Sequence, residues 1–153
     1  MRKKMSKELS RHKIRQKAVQ ALFPLDVNQV LEKKDAINAA LELEYAEIVD
    51  KNQEHFVPAY LDFLVTGVCE NKDELDEKIK NHLRKGWRIE RLSKMDLIIL
   101  RIGLFEMLYV EDVPNKVALN EAIELTKTFS DEQSRKFVNG ILSAVNTEIE
   151  ASL

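Results

Sequence analysis

The sequence predicts an all-α protein. Apolar residues recur at helical spacing in one segment after another, and no stretch makes a convincing strand. Breakers are scarce, with four Gly and three Pro in 153 residues, while Leu, Ala, Glu and Lys are abundant. No internal repeat divides the chain, so residues 1–153 are expected to form one domain, preceded by a basic tail over about residues 1–9.

Taken in order, Ile14, Ala18, Leu22 and Leu25 make one apolar face of a first helix, which Pro24 is expected to kink or end near Phe23. A weaker helix follows over about 34–48, and the polar run Asp50-Lys51-Asn52-Gln53 reads as a loop. Pro58 opens a helix to about Asn71, striped by Tyr60, Leu61, Leu64, Val65 and Val68. The next runs from about Asp73 to Leu83 on Leu75, Ile79 and Leu83, with Gly86 marking its end.

MDLIILRIGLFEMLY carries two apolar seams, Ile98-Ile102-Phe105-Tyr109 and Leu97-Leu104-Leu108, so this helix is expected to be buried on several sides. Arg101 falls on the second seam. A guanidinium there requires a carboxylate, and Glu121, between Val117 and Leu125, is the nominated partner. EDVPNKV turns into a helix whose apolar face is Ala118, Ala122, Leu125 and Phe129. The last helix opens at Ser130-Asp131-Glu132-Gln133, a capping-box pattern, and continues through Val138, Ile141, Leu142, Val145 and Ile149. The count is about seven helices.

Composition bounds the function. A hydrophobic fraction of 44% beside 33% charged residues fits a globular chain that is neither disordered nor membranous. The most apolar stretch, Leu97 to Val110, is broken by Arg101 and Glu106 and is too short to span a bilayer. The basic N-terminus lacks the apolar run of a secretory signal, and a lone Cys69 cannot close an intrachain disulfide. A cytoplasmic protein without a membrane partner is the expectation.

Catalytic patterns are missing. His12, His55 and His82 are far apart, and none has metal-ligand spacing to another His or Cys. No Gly-rich phosphate loop or nucleophile elbow occurs, and Cys69 reads as core filler on an apolar helix. A binding protein with no cofactor and no metal is favoured over an enzyme.

Charge supplies the lead. Residues 1–20 carry a net +7 and the remainder a net −9. In SRHKIRQKAVQALF the cations Arg11, His12, Lys13 and Arg15 sit at a helix start, where each opposes the macrodipole by roughly 0.3–1 kcal/mol when exposed. That placement suits an anion seated there, and the acidity elsewhere suits a narrow track for a single strand rather than a coat for a duplex. Phe23 offers either a stacking face or a core anchor. A second basic cluster, Arg84, Lys85, Arg88, Arg91 and Lys94, surrounds Trp87 and reads as a solvated face or as a partner site.

RQKAVQALF, RLSKMDLIILRIGLFEMLY, DVPNKVALNEAIELTKTF and SRKFVNGIL, in that order, resemble the NusB family of bacterial transcription antitermination factors over nearly the whole chain. The resemblance implies two packed helical bundles and no catalysis. It implies pairing with NusE, a small-subunit ribosomal protein, and binding to boxA single-stranded RNA of ribosomal RNA operon leaders. That pair works within an RNA polymerase antitermination complex with other Nus factors, supporting rRNA transcription.

Carried over by position, the RNA-facing residues are Arg11, His12, Arg15 and Phe23, with Gln133, Ser134, Lys136 and Phe137 at the start of the last helix. Glu90 and Asp96 align with acids that matter for the partner protein. His12, Phe23 and Gln133 depart from the commoner arginine, tyrosine and acid, and Pro24 bears on the direction of the Phe23 ring. Gly140 is expected to allow close helix packing.

Two rival readings stay open. One is a protein-only adaptor whose basic helix meets an acidic partner. The other is a NusB-like accessory domain of an rRNA cytosine methyltransferase, which the stop at Leu153 disfavours because such enzymes continue into an α/β domain. Whether the chain is a monomer or a homodimer also stays open.

Overall fold

A computed structural model describes residues 9–45 and 57–153, with the side chains of residues 44 and 45 left out. The loop expected over 50–53 and His55 lie outside the described residues. Seven α-helices and no strand are found among the described residues: α1 Arg11–Val27, α2 Lys33–Tyr45, α3 Ala59–Glu70, α4 Lys72–Lys80, α5 Lys94–Tyr109, α6 Asn115–Phe129 and α7 Glu132–Ala151. A 3-10 turn, Ile89–Arg91, precedes α5. The fold is all-α, and no described helix is long and apolar enough to cross a membrane.

The chain divides into two compact units, Met1–Thr66 and Gly67–Leu153, with the boundary inside α3. In the first unit α1 packs on α2. Ile14, Ala18 and Leu22 are buried as the spacing requires, and Ile37, Ala40 and Leu41 of α2 are buried with them. Ser10 caps α1, its hydroxyl accepting from the Lys13 N–H at 3.0 Å.

Pro24 neither ends nor breaks α1, which runs on to Val27. Its ring sits in the last turn, where it deletes one ladder hydrogen bond, and its own carbonyl still accepts from the Asn28 N–H at 2.9 Å. A proline this near a C-terminus costs far less than one in mid-helix.

In the second unit α5, α6 and α7 pack on one another, and α4 packs on α5. Every residue of α5 from Asp96 to Met107 is buried. Burial of each Leu or Ile there contributes about 1.5–3 kcal/mol. Ser93 caps α5 through the Asp96 N–H at 3.0 Å.

Close approach is achieved at Gly67, where an added Cβ would lie 2.1 Å from Cζ of the Phe105 ring. Gly140 differs from its expectation: a Cβ there meets nothing within 4 Å. Its face of α7 is open, so packing does not explain it.

The cap of α7 is displaced by one residue from the expected pattern. Asp131, not Ser130, accepts from the Ser134 N–H at 2.8 Å. Ser130 is the C-cap of α6, and its hydroxyl donates to Asp96 Oδ1 at 3.3 Å. The stop after α4 also comes early. His82 and Leu83 donate to the carbonyls of Ile79 and Lys80 in tighter, 3-10-type bonds, before Gly86 is reached. Cys69, expected in the core, is exposed on α3.

Candidate nucleic-acid interface

The first turn of α1 contains no acid, so no carboxylate of that turn offsets Arg11 and Lys13 against the dipole. Arg11 is exposed, and its guanidinium lies over the Tyr60 ring, 3.6 Å from the centroid. Tyr60 in turn lies 5.8 Å from Phe63, tilted by 33°. A guanidinium stacked on a ring satisfies its face and leaves the N–H donors around its edge directed outward, the geometry that phosphate oxygens take. Arg11 makes no ion pair among the described residues. The sequence reading placed Tyr60 in the apolar stripe of α3 and missed this role, because the contact depends on where α3 meets α1.

His12 is half-buried and lies 3.2 Å from Gln16 Nε2, one turn further along. Arg15 departs from the expectation. It is only 4% exposed and already has an interaction within the chain, so it does not present a free guanidinium to a ligand. Its position follows from the helical step: Arg15 lies beside Ile14, Ala18 and Val19 on the packed side, while Arg11 falls beyond the packed turn. Lys17 is buried likewise, its Nζ donating to Gln20 Oε1 at 2.9 Å. Phe23 is half-buried, further along the same helix.

In the second unit, Gln133 and Lys136 are exposed near the start of α7, with Ser134 and Phe137 half-buried beside them. Asp131 and Glu132 occupy that helix start, and Arg135 ion-pairs with Glu132. The Arg135 hydrogen bond holds the Glu132 carboxyl below its ordinary range. With the Ser134 N–H capped by Asp131 and two acids present, the α7 N-terminus itself is a poor anion site. Lys136 and Phe137 are what it offers. The Phe137 ring stacks on Trp87 at 5.8 Å between centroids, 21° from parallel.

The two acids nominated for the partner protein separate. Glu90 is exposed on the 3-10 turn. Asp96 is 9% exposed and accepts from Ser130, so its carboxylate ties the start of α5 to the end of α6. For Arg101, the bidentate partner is Asp76 of α4, with Nε donating to Oδ1 at 2.7 Å and Nη2 to Oδ2 at 2.9 Å. A carboxylate was required there, and Asp76, which the sequence spacing had not nominated, supplies one through the packing of α4 on α5.

Fold and surface together define an all-helical protein whose first helix opens on an exposed arginine. The NusB family model matches residues 12–147. The chain is 60% identical over 152 residues to the transcription antitermination protein NusB of Enterococcus faecalis, covering 99% of each chain. It is 51% identical to that of Lactiplantibacillus plantarum, over 90% of this chain and 94% of the relative. The solved NusB of T. maritima matches with a TM-score of 0.75 at 29% identity, over 93% of this chain and 94% of that one. A crystal structure of antitermination factors NusB and NusE in complex with dsRNA shares the fold, with a TM-score of 0.73 at 23% identity, over 92% and 99% of the two chains. The chain belongs to the NusB family.

Proposed function

We propose that this chain is a non-catalytic RNA-binding transcription antitermination factor. It pairs with the ribosomal protein NusE and binds boxA RNA of rRNA operon leaders, supporting rRNA transcription. The observation that carries this reading is Arg11, an exposed arginine at the start of α1, stacked on Tyr60. The antitermination name of the 60%-identical Enterococcus relative supports the role, and the NusB–NusE–dsRNA complex of the shared fold supports the two partners.

In the first unit Arg11 supplies the leading phosphate contact, with His12 beside it and Phe23 further along. In the second, Lys136, Gln133, Ser134 and Phe137 supply contacts of their own, and exposed Glu90 faces the basic ribosomal partner. Arg15 and Asp96 act through the fold, since both are buried.

The test is fluorescence anisotropy of a labelled boxA-type RNA and a scrambled control at two salt concentrations, with and without purified NusE. Three to five neutralised phosphates give a log–log salt slope of roughly −2 to −3.5 for a single strand. Salt-sensitive binding that prefers boxA and tightens with NusE is expected. NusE binding without any RNA discrimination would replace this reading with a protein-only adaptor.

A further inference from the structure

The segment between α4 and α5 holds the chain's sole tryptophan inside its second basic cluster. Residues 84–94 include Arg84, Lys85, Arg88, Arg91 and Lys94 against one acid, Glu90, a net +4 in a chain of net −2. All five cations are exposed, and Arg84, Lys85, Arg88 and Arg91 make no ion pair among the described residues. A charge run that served only solubility would carry no fixed aromatic at its centre. Here the backbone fixes one. The Trp87 N–H donates to the Arg84 carbonyl at 2.9 Å, closing a turn with Gly86 at its third position at φ 88°. That conformation favours glycine, and a Cβ at Gly86 would touch nothing, so the glycine serves the turn rather than packing.

The turn lays the Trp87 ring nearly parallel on Phe137 while leaving it 51% exposed. A large aromatic held against one ring and half open to water is a stacking platform, and nucleobases are the π-faces that accompany a polyanionic backbone. Single-stranded nucleic acid meets both features at once, its phosphates the cations and its bases the flat exposed ring.

We infer that Trp87, backed by Phe137 and flanked by Arg84 and Arg88, stacks a base of the bound single-stranded RNA while the cations hold the adjoining phosphates. This rests on the RNA-binding reading above, which it extends to a contact in the second unit that the family resemblance did not assign here.

Because Trp87 is the only tryptophan, its intrinsic fluorescence reports the contact directly. The full chain is titrated with unlabelled boxA-type RNA while tryptophan emission is followed, and in parallel with labelled RNA by anisotropy. Inorganic polyphosphate serves as a polyanion without bases. The expected result is saturable quenching by RNA along the anisotropy curve, with little quenching by polyphosphate. Trp87→Ala should weaken RNA binding about tenfold and Trp87→Phe distinctly less, as a ring is retained. Arg84→Ala with Arg88→Ala should flatten the log–log salt slope by about 1.4. These two arginines are exposed, so that double variant tests the site even if Trp87→Ala loosens the turn.

RNA binding seen by anisotropy without quenching would overturn the platform alone and leave the cations to an acidic protein. Equal quenching by polyphosphate would overturn stacking in favour of simple anion binding. No binding of any RNA would overturn the RNA reading and the platform together.

Discussion

Two arginines show how differently the two units use the same side chain. Arg101, in the middle of α5, is 4% exposed and gives both arms of its fork to Asp76. Arg11, at the start of α1, is exposed and rests its flat face on Tyr60. A carboxylate partner occupies the in-plane donors and neutralises the charge, so Arg101 is committed to the fold. An aromatic partner occupies only the face and leaves the charge and its donors for something outside. What surrounds a charge, more than its presence on a helix, separates a structural cation from one that can recruit a ligand.

The contrast is sharpest if stability and binding respond oppositely to substitution. Arg101→Ala should lower the unfolding free energy most, by about 2–3 kcal/mol in urea melts. That is somewhat below the cost of breaking a wholly buried pair, because the Asp76 side chain keeps 21% exposure. Any fraction still folded should bind RNA as before. Gly67→Ala should come next, at about 1–3 kcal/mol, since the new methyl falls on the Phe105 ring of α5. A thermal midpoint unchanged by this substitution would show that the α3–α5 approach is looser than described.

Arg11→Ala should leave the melt within ~0.5 kcal/mol of the parent, as exposed surface changes do. Its effect should appear as a several-fold loss of RNA affinity and a salt slope shallower by about 0.7, one phosphate contact. If Arg11→Ala instead destabilised the fold and spared RNA binding, the distinction between the two arginines would be lost. The smallest effect is expected from Gly140→Ala, a gain of up to about 1 kcal/mol from helix propensity alone, because its face of α7 is open. A gain in stability accompanied by weaker RNA or NusE binding would show that a partner approaches the bare backbone there.

Helix periodicity located the seven described helices because most of them bury an apolar stripe, and that stripe is a property of sequence alone. Burial of α5 on several sides was legible for the same reason, from its two seams, and the structure buries every residue from Asp96 to Met107. Partner choice was not. The need for an acid at Arg101 followed from its place on a seam, but that Asp76 of α4 supplies one depends on tertiary packing. Arg11 and Arg15 look equivalent in sequence, four residues apart on one face. The packed surface passes between them, leaving one exposed and the other buried. Gly140 was misread for a related reason: like Gly67 it is a helical glycine, and the ring that distinguishes the two comes from another helix. The family motifs pointed to Phe137, yet its stacking on Trp87 depends on a turn whose geometry no spacing rule gives.

The stacking of Arg11 on Tyr60 also has a consequence for the thermodynamics of association. A free arginine side chain gives up as much as about 1.5–2 kcal/mol of rotamer freedom when a ligand immobilises it. Here much of that ordering has already taken place in the unliganded protein, so less of the phosphate contact is offset on binding. Tyr60→Ala would leave every donor and the charge of Arg11 in place, yet calorimetry should show the RNA binding entropy becoming less favourable. Tyr60→Phe should behave as the parent, since the ring and not the hydroxyl holds the guanidinium still.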